Sequence, residues 1–556
     1  MGRRDEGFES TALTRRSVMR AAFGTSAGVI VPISLDLNAT RTMAQATESA
    51  PDPARLSPQG PDQAVLDYPA LVERAKALAA QPYRPAADDL PAELGALTYD
   101  QYQAIGFRPE KTLLLGRFGL QPFHRGFLQR KRVALLLQKR EGGVQALDYA
   151  SELFDLGPSL KGRSYPAALG YAGFRLSFGF DAGAPQVREE FLVFLGASYF
   201  RLRGRRQVYG LSCRGVAVNT GGPGEEEFPD FTEFRILEPA AEETRLTILA
   251  LLDGPSLTGA YRFTVSPGEE TQITVTASLH PRRSIPRLGL APLTSMFLHG
   301  QNGAGARGAQ GFDDFRPQVH DSDGLCVASP GDRLWRPLVN GRAAPQISAF
   351  RAAPCQGFGL MQRERHFAAY LDVQARHEDR PGIWIAPEKE SLGAGSVQLY
   401  EIPSRDEAID NIVAAFVPEA PVTAGRPIDL AYTLATVGEG PDADLPRSLA
   451  RVVSTRVGSA ERLRPTNPPS PERRLYAIDF EGPDLPQDPM SPIAVSLWAS
   501  AGAFLEPFCE RVPQTGGWRL YAEYRPPHPL PPGDVVLRAR LSHAGKPITE
   551  TWDAVA

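Results

Sequence analysis

Residues 272–279, Gln-Ile-Thr-Val-Thr-Ala-Ser-Leu, alternate polar and apolar without a fault. Only an extended strand sends every second side chain to one face, so this stretch reads as a strand with a core on one side and water on the other. Residues 260–265 repeat the alternation just upstream, and Ser266-Pro267-Gly268 supplies a turn between them, which predicts an antiparallel pair. Residues 132–138 and 144–149 flank Gly142-Gly143 in the same manner. Segments of this kind recur from about residue 108 to about residue 400, and they predict a large antiparallel sandwich rather than alternating strand and helix units.

The 51 prolines and 52 glycines among 556 residues act in the same direction, because punctuation that frequent breaks long helices. A helical bundle and a coiled coil are excluded, and a 42% hydrophobic content excludes a disordered chain. One helix is nonetheless legible. Asp67 can cap a run in which Tyr68, Leu71, Val72, Ala75, Leu78 and Ala79 recur at helical spacing, and Pro82 stops it. After Pro418 the strands shorten: 428–436, 450–457, 474–480, 493–500, 518–524, 535–541 and 548–552. About seven strands in roughly 135 residues is the texture of an immunoglobulin-like sandwich. The predicted organisation is all-β, with a large β-sandwich at 64–402, a linker at 403–418 and an immunoglobulin-like unit at 419–556.

The front of the chain reads as an address. Thr14-Arg15-Arg16-Ser17-Val18-Met19 precedes a weakly apolar run, and Ala44-Gln45-Ala46 supplies an A-x-A site, so 1–46 has the layout of a twin-arginine signal peptide. A Pro-rich leader follows at 47–63. The expected destination is the periplasm by the twin-arginine pathway, and no membrane span is expected in the mature chain, because Pro32 and Asp36 cut the only candidate run short. An oxidising compartment permits disulfides; Cys326 and Cys355 are closest in sequence, but spacing does not fix a pairing.

Charge and motifs then narrow the function. The balance of 60 Lys and Arg against 64 Asp and Glu leaves a net charge of -4, which offers no field for a polyanion and excludes nucleic acid as a partner. No CxxC, HxH or HExxH occurs, so neither a metal nor a cofactor is expected. Gly303 to Gly308 fits G-x-G-x-x-G, but it leads into Gly311-Phe312-Asp313-Asp314 rather than a helix and reads as a glycine loop.

Polar and aromatic residues are densest from Ser295 to Trp384. Rings stack on the apolar faces of sugars while charged and amide groups bind hydroxyls, so Arg316, His320, Trp335, Arg363, Tyr370 and Arg376 are candidate saccharide-binding residues. Cleaving a glycosidic bond also needs two carboxyls, one to protonate the leaving oxygen and one to activate water or attack. Asp372 with Asp321 or Asp323 is the candidate pair. The same residue types also make surface ion pairs and turn caps, and Asp-Ser-Asp-Gly at 321–324 is good turn chemistry.

At these residues the sequence resembles the periplasmic glucan biosynthesis family, whose members help to make osmoregulated periplasmic glucans. The likeness lies in Phe123-His124-Arg125-Gly126-Phe127-Leu128, in residues 170–175 and 191–201, in Leu290 to Phe297, in His320 to Gly324, and in Asp410-Asn411-Ile412-Val413. The twin-arginine layout points to its D-type branch. The resemblance implies a galactose-mutarotase-like β-sandwich before the immunoglobulin-like one, and action on linear β-1,2-glucan as an inverting hydrolase or a transglycosylase. It also implies a general acid at Asp372, from Tyr370-x-Asp372 ahead of Arg380-Pro381-Gly382-Ile383-Trp384. The base stays open between Asp321 and Asp323. A non-catalytic glucan-binding or scaffold protein is the alternative, and the oligomeric state is left open. Three departures from the family pattern bear on the choice: His377 in place of a tyrosine, Ser391 to Gly395 in place of a Trp-Gly-Lys-Gly loop, and Ala408-Ile409 in place of Thr-Asn.

Overall fold

A computed structural model describes residues 56–57, 64–181, 183–184, 186–222, 225–302, 313–341, 344–388, 391–438, 449–462, 472–531 and 533–556. The signal peptide, nearly all of the leader and the glycine stretch at 303–308 lie outside the described residues.

The expected strand forms. Gln272–Pro281 pairs antiparallel with Leu257–Ser266 along its whole length, from Gln272 opposite Ser266 to Pro281 opposite Leu257. Its alternation of burial holds to Ala277, and from there both faces are buried. The cause is the predicted helix, Tyr68–Ala79, which Asp67 caps by accepting the Ala70 N–H at 2.9 Å. Leu71 and Ala75 of that helix lie on Leu249, Leu251 and Ala260, covering the outer face of the sheet. The hairpin around Gly142-Gly143 is also present, between Ala134–Gln138 and Val144–Leu147.

Two large sheets make the N-terminal sandwich. Among the described residues one has 16 strands and the other 11, and the core between them is built from Phe174, Phe194, Phe231, Phe234, Tyr261 and Phe263 with many aliphatic side chains. Two expectations are corrected. Ile428–Val437 is not the first strand of the C-terminal unit; it pairs with both Gln272–Pro281 and Gly382–Pro387 inside the large sheet, and its Leu430, Tyr432 and Leu434 enter the N-terminal core. Residues 403–418 are not a plain linker, because Ile412–Pro418 forms a buried strand between Gly395–Glu401 and Leu288–Ser295.

The two units also share a sheet. Thr551–Val555 runs parallel to Asp332–Pro337, so the large sheet continues into the C-terminal strands Val536–His543 and Ile493–Ala499. A separate five-stranded sheet, which includes Arg451–Ser459, Arg474–Glu481 and Trp518–Arg525, packs on that extension. Leu325, Val327, Ile383 and Ile385 face the first core, whereas Cys326, Ala328, Trp335, Met361 and Trp384 face the second. Strands buried on both faces lose polar alternation, since either face must be apolar. Cys326 and Cys355 consequently belong to different cores. Among the described residues no helix is long and apolar enough to cross a membrane.

Candidate functional site

The candidate residues fall into two neighbouring groups around the seam between the units. The first is built on the turn after the short helix Phe367–Tyr370, where Leu371 and Arg376 take left-handed backbone at φ 57° and 48°. Asp372 sits in that turn and is buried. Its Oδ1 accepts the N–H groups of Gln374 and Ala375 at 3.0 and 2.9 Å, and its Oδ2 accepts from Arg316 at 2.9 Å. Arg316 also binds Asp314 and lies 2.7 Å from Glu407, so one guanidinium serves three carboxylates. Burial works to raise the Asp372 carboxyl, but the Ala375 amide, Arg316 and the Gln374 amide outweigh it and hold it below its ordinary value. Asp314 is brought down to about 2, against its own burial, by Arg316.

Asp321 lies beside this turn. Arg380 binds its Oδ1, His377 Nδ1 stands 3.5 Å away, and its backbone N–H donates to Met296 at 2.8 Å. Burial opposes ionisation, yet Arg380 and then His377 carry the carboxyl down to about 2. His377 is 2% exposed and lies between the fields of Asp321 and Asp372. Behind Asp321 is Asp410, buried, with Arg201 at 4.0 Å; desolvation pushes its carboxyl above the ordinary value despite Arg201, and the Asp321 anion adds to the rise. Asn411 next to it exchanges hydrogen bonds with the backbone of Phe297 at 2.8 and 3.0 Å, which fixes the end of the strand that brings Phe297 into place.

The second group lines a recess whose walls include Phe297, Gln318, His320, Asp323, Trp335 and Arg363 from the large unit, and Val452 to Thr455 from the C-terminal one. Asp323 Oδ2 accepts the N–H groups of Arg363 and Glu364, both at 2.9 Å. Its Oδ1 is buried and makes no hydrogen bond among the described residues. Burial raises this carboxyl to about 6, with the Glu364 amide and the Arg363 charge acting against the rise. Arg363 lies 3.6 Å over the Trp335 ring. Gly324 makes room for that ring, because a Cβ there would stand 2.2 Å from it.

His320 joins the two groups. It is wholly buried, stacks on Phe297 at 5.3 Å and meets Tyr370 edge-on at 5.3 Å. Gln362 Nε2 donates to the carbonyls of His320 and His377, both at 3.1 Å, so the Gln362 oxygen faces His320 Nδ1 at 2.9 Å and the proton sits on Nδ1. Burial lowers the ring to about 3, which keeps it neutral, and its Nε2 stands 3.1 Å from the Gln318 Oε1, so that approach becomes a hydrogen bond only when the Gln318 carboxamide turns its NH2 group to the ring. Tyr370 is buried and donates to the Glu364 carbonyl at 3.0 Å. Arg376 belongs to neither group: it pairs with Asp379 at the surface with a 42% exposed side chain.

Comparison with known proteins identifies the family. The family model described as "Periplasmic glucan biosynthesis protein, MdoG" matches residues 66–555. The chain belongs to the periplasmic glucan biosynthesis family. "Glucans biosynthesis protein G" of Shewanella frigidimarina is 41% identical over 496 residues, covering 88% of this chain and 84% of the relative. The protein of the same name from Ralstonia nicotianae is 39% identical over 87% and 94% of the two chains, and that from Bradyrhizobium diazoefficiens 36% over 97% and 99%. All three carry the G name, whereas the signal layout pointed to the D-type branch. Membership in the family implies work in the periplasm.

Several residues of the site escape the residue-type reading. Phe297, Arg201 and Asp410 lay inside the very segments that carry the family resemblance, and that was the available signal. Arg380 and His377 stood in plain view near Asp372, but nothing local says that they turn toward Asp321. Leu392 of the altered 391–395 loop turns into the N-terminal core.

Proposed function

We propose that the protein processes the β-1,2-glucan backbone of osmoregulated periplasmic glucans as an inverting glycoside hydrolase or a transglycosylase. The observation that carries this reading is Asp323, a carboxyl with one buried oxygen free of hydrogen bonds, in a recess with an indole, a guanidinium and amides around it. Asp372 is the general acid and Asp323 the base. Between the two base candidates, Asp321 is committed to Arg380 and His377 and is too acidic to take a proton readily, whereas Asp323 at about 6 is ionised at neutral pH and still basic. In inverting enzymes the two carboxyls stand about 6.5–9.5 Å apart to admit water.

Asp372 becomes an acid only when it holds a proton, which requires Arg316 to leave Oδ2. Asp314 and Glu407 keep that guanidinium paired when it does. The same clamp favours a second reading, a glucan-binding or scaffold protein, because in the free protein Asp372 is held as an anion. Incubation with linear β-1,2-glucan separates the two. Chain shortening or cyclisation that Asp372→Asn abolishes supports the enzyme; binding by calorimetry with no turnover at high protein concentration supports the scaffold and rejects the enzyme.

A further inference from the structure

The recess is not made by the N-terminal sandwich alone. Val452 to Thr455 close one side of it, and a residue from the last segment of the chain controls its cation. Glu550 is 0% exposed. It accepts from Arg363 at 2.5 Å, from Arg333 Nε at 2.9 Å and from the Val452 N–H at 2.6 Å. Arg363 in turn donates to the Val452 carbonyl at 2.8 Å, stacks on Trp335, and offers its backbone N–H to Asp323. A carboxylate 187 residues away in sequence thus fixes the side chain that lies on the indole, in the residue whose backbone amide binds the reactive carboxyl.

We propose that the C-terminal unit is a working part of the site: through Glu550 it holds Arg363 against Trp335 and tunes Asp323, which makes Glu550 a positioning residue. This rests on the reading of Asp323 as the base. Buried charge at a seam also serves as glue, and that simpler role leaves the ionisation of Asp323 where it is. The charged and titratable groups acting on Asp323 are Arg363, Glu364, Arg365 and Tyr370, with His320 beside it in the lining of the recess, and Glu550 with Arg333 joins them through the Arg363 side chain. Deleting the Glu550 charge leaves an excess of positive charge, which favours the Asp323 anion. Deleting the Arg333 charge does the opposite.

The test is a pH titration of tryptophan fluorescence on the full chain, with Trp335→Phe subtracted to isolate the ring that shares the recess. Wild type is expected to show a step near pH 6 that Asp323→Asn removes. In Glu550→Gln the step moves to lower pH and in Arg333→Met to higher pH, each by about one unit for a single charge in a partly screened setting. Turnover in Glu550→Gln falls about 10-fold or more, mainly in kcat, as for other supporting residues around a reacting group. Opposite shifts cannot come from general loosening, which only lowers the Asp323 step by relieving its burial; a rise in Arg333→Met therefore decides on its own, and if only Glu550→Gln folds, a lowered step together with a fall in kcat at unchanged KM supports the proposal and an unmoved step overturns it. A step that stays put in the folded variants overturns the positioning role while leaving Asp323 as base. Full turnover in Asp323→Asn, or a wild-type trace with no Trp335-dependent step, overturns the base assignment and this proposal with it.

Discussion

Asp372 and Asp323 are the same residue type on two sides of one histidine, and their surroundings drive them apart. Asp372 has donors on both oxygens: two backbone amides on one and a shared guanidinium on the other. Asp323 is no better solvated, but its hydrogen bonds all fall on one oxygen and Arg363 spends its charge on Glu550. Burial therefore wins at Asp323 and loses at Asp372. The difference teaches that the number and direction of donors, rather than depth alone, decide whether a buried carboxyl keeps its proton.

The largest test of this contrast is chemical. Asp372→Asn and Asp323→Asn are each expected to reduce turnover of linear β-1,2-glucan by about 10²–10⁴-fold, and the double variant to be no worse than the poorer single one. Reducing-end release measures it. Additive losses, or full activity in either single variant, would break the pairing of the two groups.

Next in size is the clamp. Arg316→Met leaves Asp314, Asp372 and Glu407 without their common cation, and removal of one partner from a buried pair costs about 3–5 kcal/mol. Because Glu407 is 42% exposed and is relieved by water, the lower end is expected. Urea unfolding near pH 7 reads the loss, which shrinks near pH 3 as the carboxyls take up protons. A loss that does not depend on pH would mean that Arg316 acts through packing.

A smaller effect isolates the other side. Gly324→Ala drives a methyl group into the Trp335 ring, and overpacking of this kind costs about 1–3 kcal/mol. The melting temperature should fall and the recess should loosen while the Arg316 cluster is undisturbed. An unchanged melting temperature would show that the ring has room to move.

The sequence announced part of this. The helix at 68–79 and the strand at 272–281 were legible because one face of the helix, and of the strand as far as Thr276, is wet and the period survives. The shared sheet was not, since strands such as Gly382–Pro387 are apolar on both faces and carry no period to read. Asp372, Asp323, His320, Trp335 and Arg363 were found by residue type, in a segment dense with charges and rings. Arg376 was drawn in by the same rule and turned away, because a left-handed turn aims it at Asp379. Glu550 left no mark at all: a buried ion pair between distant strands has no local signature.

The last test is also the sharpest, because the two carboxyls should change stability in opposite senses. A raised carboxyl keeps its proton in the folded state up to about 6 while the unfolded chain loses it near 4, so between those values the folded state binds more protons and stability falls as pH rises. Asp323→Asn removes that penalty. The variant should match wild type below about pH 4 and be more stable by about 2–3 kcal/mol well above pH 6, where the whole cost of an under-satisfied anion is felt. At Asp372 the folded carboxyl is lowered, so the unfolded state binds more protons in the acid range and the ionised form adds stability above the ordinary carboxyl value. Asp372→Asn should therefore be less stable than wild type near neutrality, with the deficit closing as pH falls through the lowered value. Urea unfolding of both variants from about pH 3 to about pH 8 gives the two difference curves, and curves of the same sign would show that the two carboxyls do not stand in the contrast drawn from their donors.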